Sequence, residues 1–311
     1  MKAAIIGAGN VGSSIAYALL IKGRVSDIAL IDINEEKARG EALDLSHGGS
    51  FVQASEIEQT GFSGCRDADI IVITAGQNRK PDETRLDLIR KNAGIYDQII
   101  PKILEYNDDP LLIIVSNPVD VLTYYTLQIT GLNPDRVIGS GTVLDSSRFR
   151  YSLSKDYGID PRNVHAYIIG EHGASAVPVW SRTNIAGMPI LEYCHICAGP
   201  CREDHRERIF REVVDAGKEV IQRKGATFYA VALAVERIIA AVVRDENSVL
   251  TVSRIVEDYY GISQVCFSLP YIINRKGIVR PLHLTLNDME TEQLRKSAEV
   301  LQNYNSKLQY S

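Results

Sequence analysis

The segment Gly7-Ala8-Gly9-Asn10-Val11-Gly12 most narrows what this chain can fold into. It joins a short apolar run, Ala3–Ile6, to a helical pattern over Val11–Ile21. Glycines at G-x-G-x-x-G spacing permit a tight strand-to-helix turn, close approach of backbone to a bound group, and close helix–strand packing. The helix start behind them offers unpaired N–H groups and the positive end of a dipole, which suits phosphate. Alone, the pattern also fits strand–helix turns that bind nothing. Asp32 sharpens it, because it ends the next apolar run, Ile28–Ile31, 20 residues after Gly12. An acid there accepts hydrogen bonds from a ribose diol and repels a 2′-phosphate. No arginine follows in Ile33-Asn34-Glu35, so NAD is expected rather than NADP. A helix N-cap is the alternative for Asp32, and it accounts for that residue but not for the set.

The first half repeats this unit. Ile28–Ile31, Ile70–Ile73 and Leu111–Val115 are short, fully apolar and rich in branched side chains, as strands buried on both faces are. Val137–Ile138 is a further short candidate, and Glu35–Leu45 reads as a helix. The alternation predicts a Rossmann fold, a doubly wound parallel α/β sheet with helices on both faces. Between two strands lies a charged loop from Gly76 to Asp87, long enough to suggest a functional role. After Gly141 the texture changes. Helices are expected over Leu144–Tyr157, Glu203–Lys224 and Thr227–Val243, and a strand over Val164–Ile169. Short strands with turns, consistent with an antiparallel sheet, are expected between Asn247 and Arg280, then a helix capped by Asn287 with Glu290 three residues on. Residues 1–141 thus form the expected nucleotide domain and 142–311 a second, α+β, substrate domain.

Composition removes other classes. A chain of 311 residues can bury two cores, and 45% hydrophobic with 23% charged residues is globular rather than disordered. A net charge of -5 with scattered basic residues leaves no footprint for nucleic acid or an anionic membrane. The start is too short in apolar residues for a signal peptide, and no run approaches the roughly 20 needed to span a bilayer. The most apolar stretch, Ala226–Val243, carries Glu236 and Arg237 and reads as a core helix. Five cysteines at irregular spacing suggest no disulfide framework, so a reduced, cytoplasmic setting is expected. Cys194, Cys197, Cys201 and His205 have a spacing that could ligate zinc, but free thiols in a surface connection are the preferred reading and no metal is expected.

Four further segments carry chemistry: Thr84-Arg85-Leu86-Asp87, Ser116-Asn117-Pro118-Val119-Asp120, Leu144-Asp145-Ser146-Ser147-Arg148-Phe149-Arg150, and Gly170-Glu171-His172-Gly173. With the nucleotide fingerprint, and in this order and spacing, the chain resembles the L-lactate/malate dehydrogenases from end to end. The resemblance implies a catalytic set of His172, Asp145 and Arg85. His172 exchanges a proton with the C2 oxygen of a small 2-hydroxy or 2-keto acid, suited by a pKa near working pH. Asp145 binds its other ring nitrogen, and Arg85 polarises the carbonyl. Arg148 binds the substrate carboxylate as a fork, while Asn117 and Thr227 help to hold the substrate. Cofactor contacts are implied for Gly7, Gly9, Asn10, Val11, Gly12, Asp32, Lys37, Thr74, Ala75, Gly76, Val115 and Asn117. A dimer or tetramer is the implied assembly. An NAD-binding protein without turnover is the alternative from another class, and the intact catalytic set weighs against it.

Substrate signals are mixed. Glu171-His172-Gly173, Val177-Pro178-Val179-Trp180 and Lys224-Gly225-Ala226-Thr227 resemble the lactate branch. Arg79 stands where lactate enzymes typically carry glutamine, as in malate dehydrogenases. A second carboxylate needs a cation, so malate/oxaloacetate is the expectation and lactate/pyruvate the alternative. Ala174-Ser175-Ala176 departs from the family, which usually has acidic or polar residues there, and puts the tuning of His172 in doubt. Arg150 and His165 match the positions that bind fructose 1,6-bisphosphate between subunits of allosteric bacterial lactate dehydrogenases. A phosphorylated effector bound by this pair and a purely structural role for both residues stand as equal readings.

Overall fold

The computed structural model describes residues 1–79, 82–196 and 203–308. Its first half contains β1 (Lys2–Ile6), α1 (Asn10–Lys22), β2 (Asp27–Ile31), α2 (Glu35–His47), β3 (Glu56–Gln59), β4 (Ile70–Ile73), α3 (Arg85–Tyr106), β5 (Leu111–Ile114), α4 (Val119–Thr130) and β6 (Val137–Gly139). The strands are parallel in the order β3-β2-β1-β4-β5-β6, so the winding reverses between β1 and β4. That reversal opens a crevice at the carboxyl ends of β1 and β4, where open α/β sheets take their ligands. All four residues of β4 and of β5 are buried, as the unbroken apolar runs predict. Strand β3 is absent from the sequence reading. Its Glu56-Ile57-Glu58-Gln59 pairs only with β2 and alternates exposed with half-buried positions, so as an edge strand it lacks the apolar run used to find the others.

The second half adds α5 (Val143–Tyr157), β7 (Val164–His165), β8 (Ile168–Ile169), β9 (Val177–Pro178), β10 (Asn184–Ile185), β11 (Met188–Pro189), α6 (Ile190–Ile196), α7 (Glu203–Lys224), α8 (Tyr229–Val243), β12 (Ser248–Tyr259), β13 (Ile262–Asn274), β14 (Gly277–Pro281) and α9 (Asp288–Asn305). The expected strand over Val164–Ile169 is two, β7 and β8, which pair in different small sheets. The short strands expected after Asn247 are instead a long antiparallel pair, β12 and β13, of 12 and 13 residues. Register shifts near Glu257 and positive φ at Asp258, Tyr260 and Gln264 break the side-chain alternation, so the pattern reads as several short pieces.

This pair also continues the first sheet, since Ser253 of β12 bridges Gly139 of β6. A Cβ at Gly139 would lie 2.7 Å from that of Ser253, so only glycine admits the close approach. One nine-stranded sheet results, and its two halves share a core. Helices α1 and α8 pack together and are tied by an ion pair between Arg24 and the buried Glu236. The charge that interrupts the most apolar stretch is thereby paired. No described helix is long and apolar enough to cross a membrane.

Candidate active site

The glycine turn is built as its spacing requires. Gly7 has φ +104, and a Cβ on it would meet Ala75 N and Thr74 Oγ1 at 2.7 Å. A Cβ on Gly12 would lie 1.8 Å from Gly7 O, so the first turn of α1 can pack against β1 only without a side chain there. Above Gly9 nothing lies within 4 Å, and as N-cap of α1 it gives no side-chain bond to the N–H groups of the first turn, which include Asn10 and Val11. Open space over uncapped N–H groups is what a pyrophosphate needs. Asp32 accepts the N–H of Ala8 at 2.6 Å and that of Asn34 at 2.8 Å, which aims its carboxylate at the turn. The N-cap of α2 is Asn34, bonded to the exposed Lys37 at 3.0 Å, so the N-cap reading of Asp32 falls.

Thr74 Oγ1 donates to Gly7 O at 2.8 Å, and Ser116 Oγ donates to Ala75 O at 2.6 Å. Thr74, Ala75, Gly76, Val115 and Asn117 thus line adjoining strand ends beside the turn. Ile33, fully exposed next to Asp32, adds an apolar surface that escaped the sequence reading. The donors, the acid and the free space fit NAD.

The residues expected to be catalytic gather at the other side of the same strand ends. Asp145 lies in the first turn of α5, and His172 follows β8. His172 Nδ1 bonds Asp145 Oδ2 at 2.5 Å, and Arg148 donates to Asp145 Oδ1 at 3.1 Å. Spacing of i and i+3 on α5 puts both oxygens to use at once. His172 Nε2 has no hydrogen-bond partner among the described residues, and the side chain is 27% exposed, enough for substrate to reach it. Burial alone would raise the Asp145 carboxyl, but the imidazole and guanidinium outweigh it and hold it below the carboxylate range. In return, the Asp145 charge raises His172 above its ordinary value despite burial. Arg148 faces Gly217 of α7, whose missing side chain leaves room over the guanidinium.

Asp120 is a site residue that sequence reasoning quoted but did not assign. It sits in the first turn of α4, and its Oδ2 accepts the His172 N–H at 2.7 Å. It follows the cis Asn117–Pro118 bond at the end of β5, so this contact ties the histidine turn to the cofactor crevice. Burial pushes its carboxyl up to about 6. Buried Asn92 also braces the site and is absent from the sequence reading. It accepts the Gln77 N–H at 2.8 Å and donates to Asn117 O at 2.7 Å, joining the root of the charged loop to the Asn117 turn.

The remaining assigned residues are spread around this core. Arg85 is the first residue of α3, placed by a capping box between Thr84 and Asp87, and it pairs with buried Glu171. Arg79 is exposed on the loop and makes no described contact. Thr227 is half-buried just ahead of α8. Arg150 and His165 stand apart from the catalytic set. Arg150 donates to Ala166 O at 3.1 Å and lines a cavity of 260 Å³, while His165 is exposed on β7. Of the zinc reading, Cys197 and Cys201 lie outside the described residues. Cys194 is disulfide-bonded, which corrects its reading as a free thiol, and His205 bonds Asp156 at 2.7 Å. Among the described residues no group of His, Cys, Asp and Glu could hold a metal.

Comparison with known proteins covers nearly all of the chain. Residues 1–139 match the family model for the lactate/malate dehydrogenase NAD-binding domain. Residues 142–309 match the model for the alpha/beta C-terminal domain of the same family. The L-lactate dehydrogenase of Thermoanaerobacter pseudethanolicus is 53% identical over 300 residues, covering 96% of each chain. L-lactate dehydrogenase 1 of Clostridium acetobutylicum is 49% identical over 300 residues, again 96% of each. Among solved structures, the ligand-bound minor L-lactate dehydrogenase of Enterococcus mundtii superposes with a TM-score of 0.96 at 37% identity, over 100% of this chain and 99% of that one. A lactate dehydrogenase from a Medee basin deep-sea metagenome gives 0.93 at 40% identity, over 98% of each.

Proposed function

Because the chain belongs to the lactate/malate dehydrogenase family, we propose that it interconverts pyruvate and L-lactate. It is an NAD-dependent oxidoreductase of the 2-hydroxy acid/2-keto acid class. One observation carries the chemistry: Asp145 holds the His172 imidazole and the Arg148 guanidinium side by side. Arg148 binds the C1 carboxylate as a planar fork, which fixes C2 and its oxygen relative to His172. In reduction the imidazolium gives its proton to the C2 oxygen while Arg85 stabilises the negative charge growing there. In oxidation the neutral Nε2 takes the hydroxyl proton. What NAD supplies when bound is acceptance of a hydride from C2, or its donation from the reduced form.

The malate expectation rested on Arg79, and it gives way to lactate. The named relatives are L-lactate dehydrogenases along almost the whole of both chains. Arg79 is exposed, and a cation that keeps its water neither penalises the methyl group of pyruvate nor selects strongly for a second carboxylate. kcat/KM for pyruvate should exceed that for oxaloacetate by about tenfold or more, a common margin for a pocket that separates related substrates. Arg79→Gln should leave pyruvate within about twofold and lower the residual oxaloacetate rate. Faster use of oxaloacetate at equal low concentration would restore the malate reading.

An oligomer and an anionic effector belong to the same proposal. Tyr17 and Ile21 on α1 and Tyr229 and Leu233 on the adjoining α8 expose an apolar surface that a second copy would cover. The cavity at Arg150 also takes in Arg237 but not His165, and its two arginines are what supports an anion site. Millimolar fructose 1,6-bisphosphate or pyrophosphate should change activity at low substrate, and Arg150→Gln should abolish the response. Light scattering that gives the mass of one chain ends the oligomer proposal, and indifference to both anions ends the effector proposal.

A further inference from the structure

We infer that Glu171 and Tyr304 are positioning residues for Arg85, so that the last helix, α9, sets the aim of the arginine that polarises the carbonyl. This rests on the reading of Arg85 given above. Arg85 comes from the first half of the chain, whereas both groups that hold its guanidinium come from the second.

The Glu171 side chain is 1% exposed and pairs with an Arg85 amine. Its other oxygen accepts the Ser175 N–H at 3.2 Å and the Ser175 hydroxyl. Its own N–H donates to Ser297 Oγ of α9 at 2.8 Å, and the Ser297 and Ser175 hydroxyls lie 3.2 Å apart. A Cβ on Gly173 would lie 2.8 Å from the carboxylate, so a side chain there would push the carboxylate from this position. The carboxylate is therefore fixed in place before any substrate arrives. Seven residues on from Ser297, the Tyr304 ring lies across the guanidinium, 5.0 Å from Arg85 Cζ to the ring centre. A buried carboxylate on one edge and an aromatic face on another leave a planar cation little freedom.

An arginine side chain is long and rotamer-rich, and its value to a transition state depends on its being ordered beforehand. Glu171 opposes the Arg85 charge, so it does not strengthen the field on the carbonyl. Its contribution is orientation. Ser175 also gives a role to the Ala174-Ser175-Ala176 departure, since its hydroxyl braces Glu171.

The test is a double-mutant cycle on the full chain, with kcat and KM for pyruvate, NADH affinity and Tm measured for each variant. Glu171→Gln keeps the shape and removes the charge. It should lower kcat by about tenfold, the scale expected for a misaimed group, with KM and NADH affinity within about twofold. In an Arg85→Gln background the same change should have almost no further effect. Tyr304→Leu should act in the same direction and lose its effect in the same background, which keeps the test open if Glu171→Gln folds poorly. Impaired Arg85→Gln with additive or absent effects of both partners overturns this inference alone. A rise in kcat for Glu171→Gln also overturns it, since the carboxylate would then restrain Arg85. Wild-type kcat in Arg85→Gln removes the reading of Arg85 and this inference with it.

Discussion

His172→Asn should cut kcat for pyruvate reduction by about a thousandfold or more, at the upper end of general acid–base contributions, while NADH affinity stays nearly unchanged. Asparagine can keep a bond toward Asp145, but it has no nitrogen that exchanges a proton near neutral pH. The groups proposed to hold the cofactor lie on the glycine turn and at the ends of β1, β2, β4 and β5, while His172 stands after β8 and, among the described residues, is joined to that side through its backbone N–H to Asp120. Kinetic and binding losses should therefore separate, and loss of both together would make the histidine structural.

The pH dependence follows from the same geometry. The Asp145 charge raises His172, so in wild type the imidazolium persists to higher pH than that of an ordinary histidine. Reduction, which consumes the imidazolium, should hold level below the raised value and fall as pH rises past it. Oxidation, which needs neutral imidazole, should rise over that interval. A histidine raised on folding contributes stability that is complete below its unfolded value and is lost as pH climbs through the folded one. Both limbs should vanish in His172→Asn.

Arg148→Gln should lower kcat/KM for pyruvate by about a thousandfold, since losing one partner of a poorly hydrated charge pair costs several kcal/mol. The Arg148 side chain is 18% exposed and already spends one amine on Asp145. Its removal leaves a substrate carboxylate without a fork and Asp145 with one cation instead of two. The KM increase should be the larger part, because the carboxylate is bound in ground and transition states alike. Asp145 should then titrate at higher pH, nearer the usual carboxylate range. Unchanged KM in Arg148→Gln would place substrate recognition elsewhere.

Much of this site is legible in the sequence where spacing is local. The G-x-G-x-x-G turn, Asp32 after β2, the Asp145/Arg148 pair on one helix face and the Asn287–Glu290 capping box each need only neighbours along the chain. The illegible parts join distant segments. Glu171 meets Ser297 across 126 positions, His172 meets Asp120 across 52, and Arg85 meets Tyr304 on the last helix. No periodicity announces such contacts. The union of β12 with β6 is likewise hidden, since Gly139 and Ser253 are ordinary residues until their close approach is seen. Arg79 marks a limit of a different kind. A charge discriminates between substrates only where it is stripped of water, and its residue type says nothing of its exposure.

In the proposed reaction a hydride reaches C2 directly from the cofactor and the oxygen proton comes through His172. Mass spectrometry of the product from pyruvate and NADH deuterated at the transferring C4 position tests both. L-lactate carrying one deuterium at C2, made in ordinary water at a rate that collapses in His172→Asn, is the predicted result. Lactate without deuterium, or a deuterated product formed equally fast by His172→Asn, would contradict it.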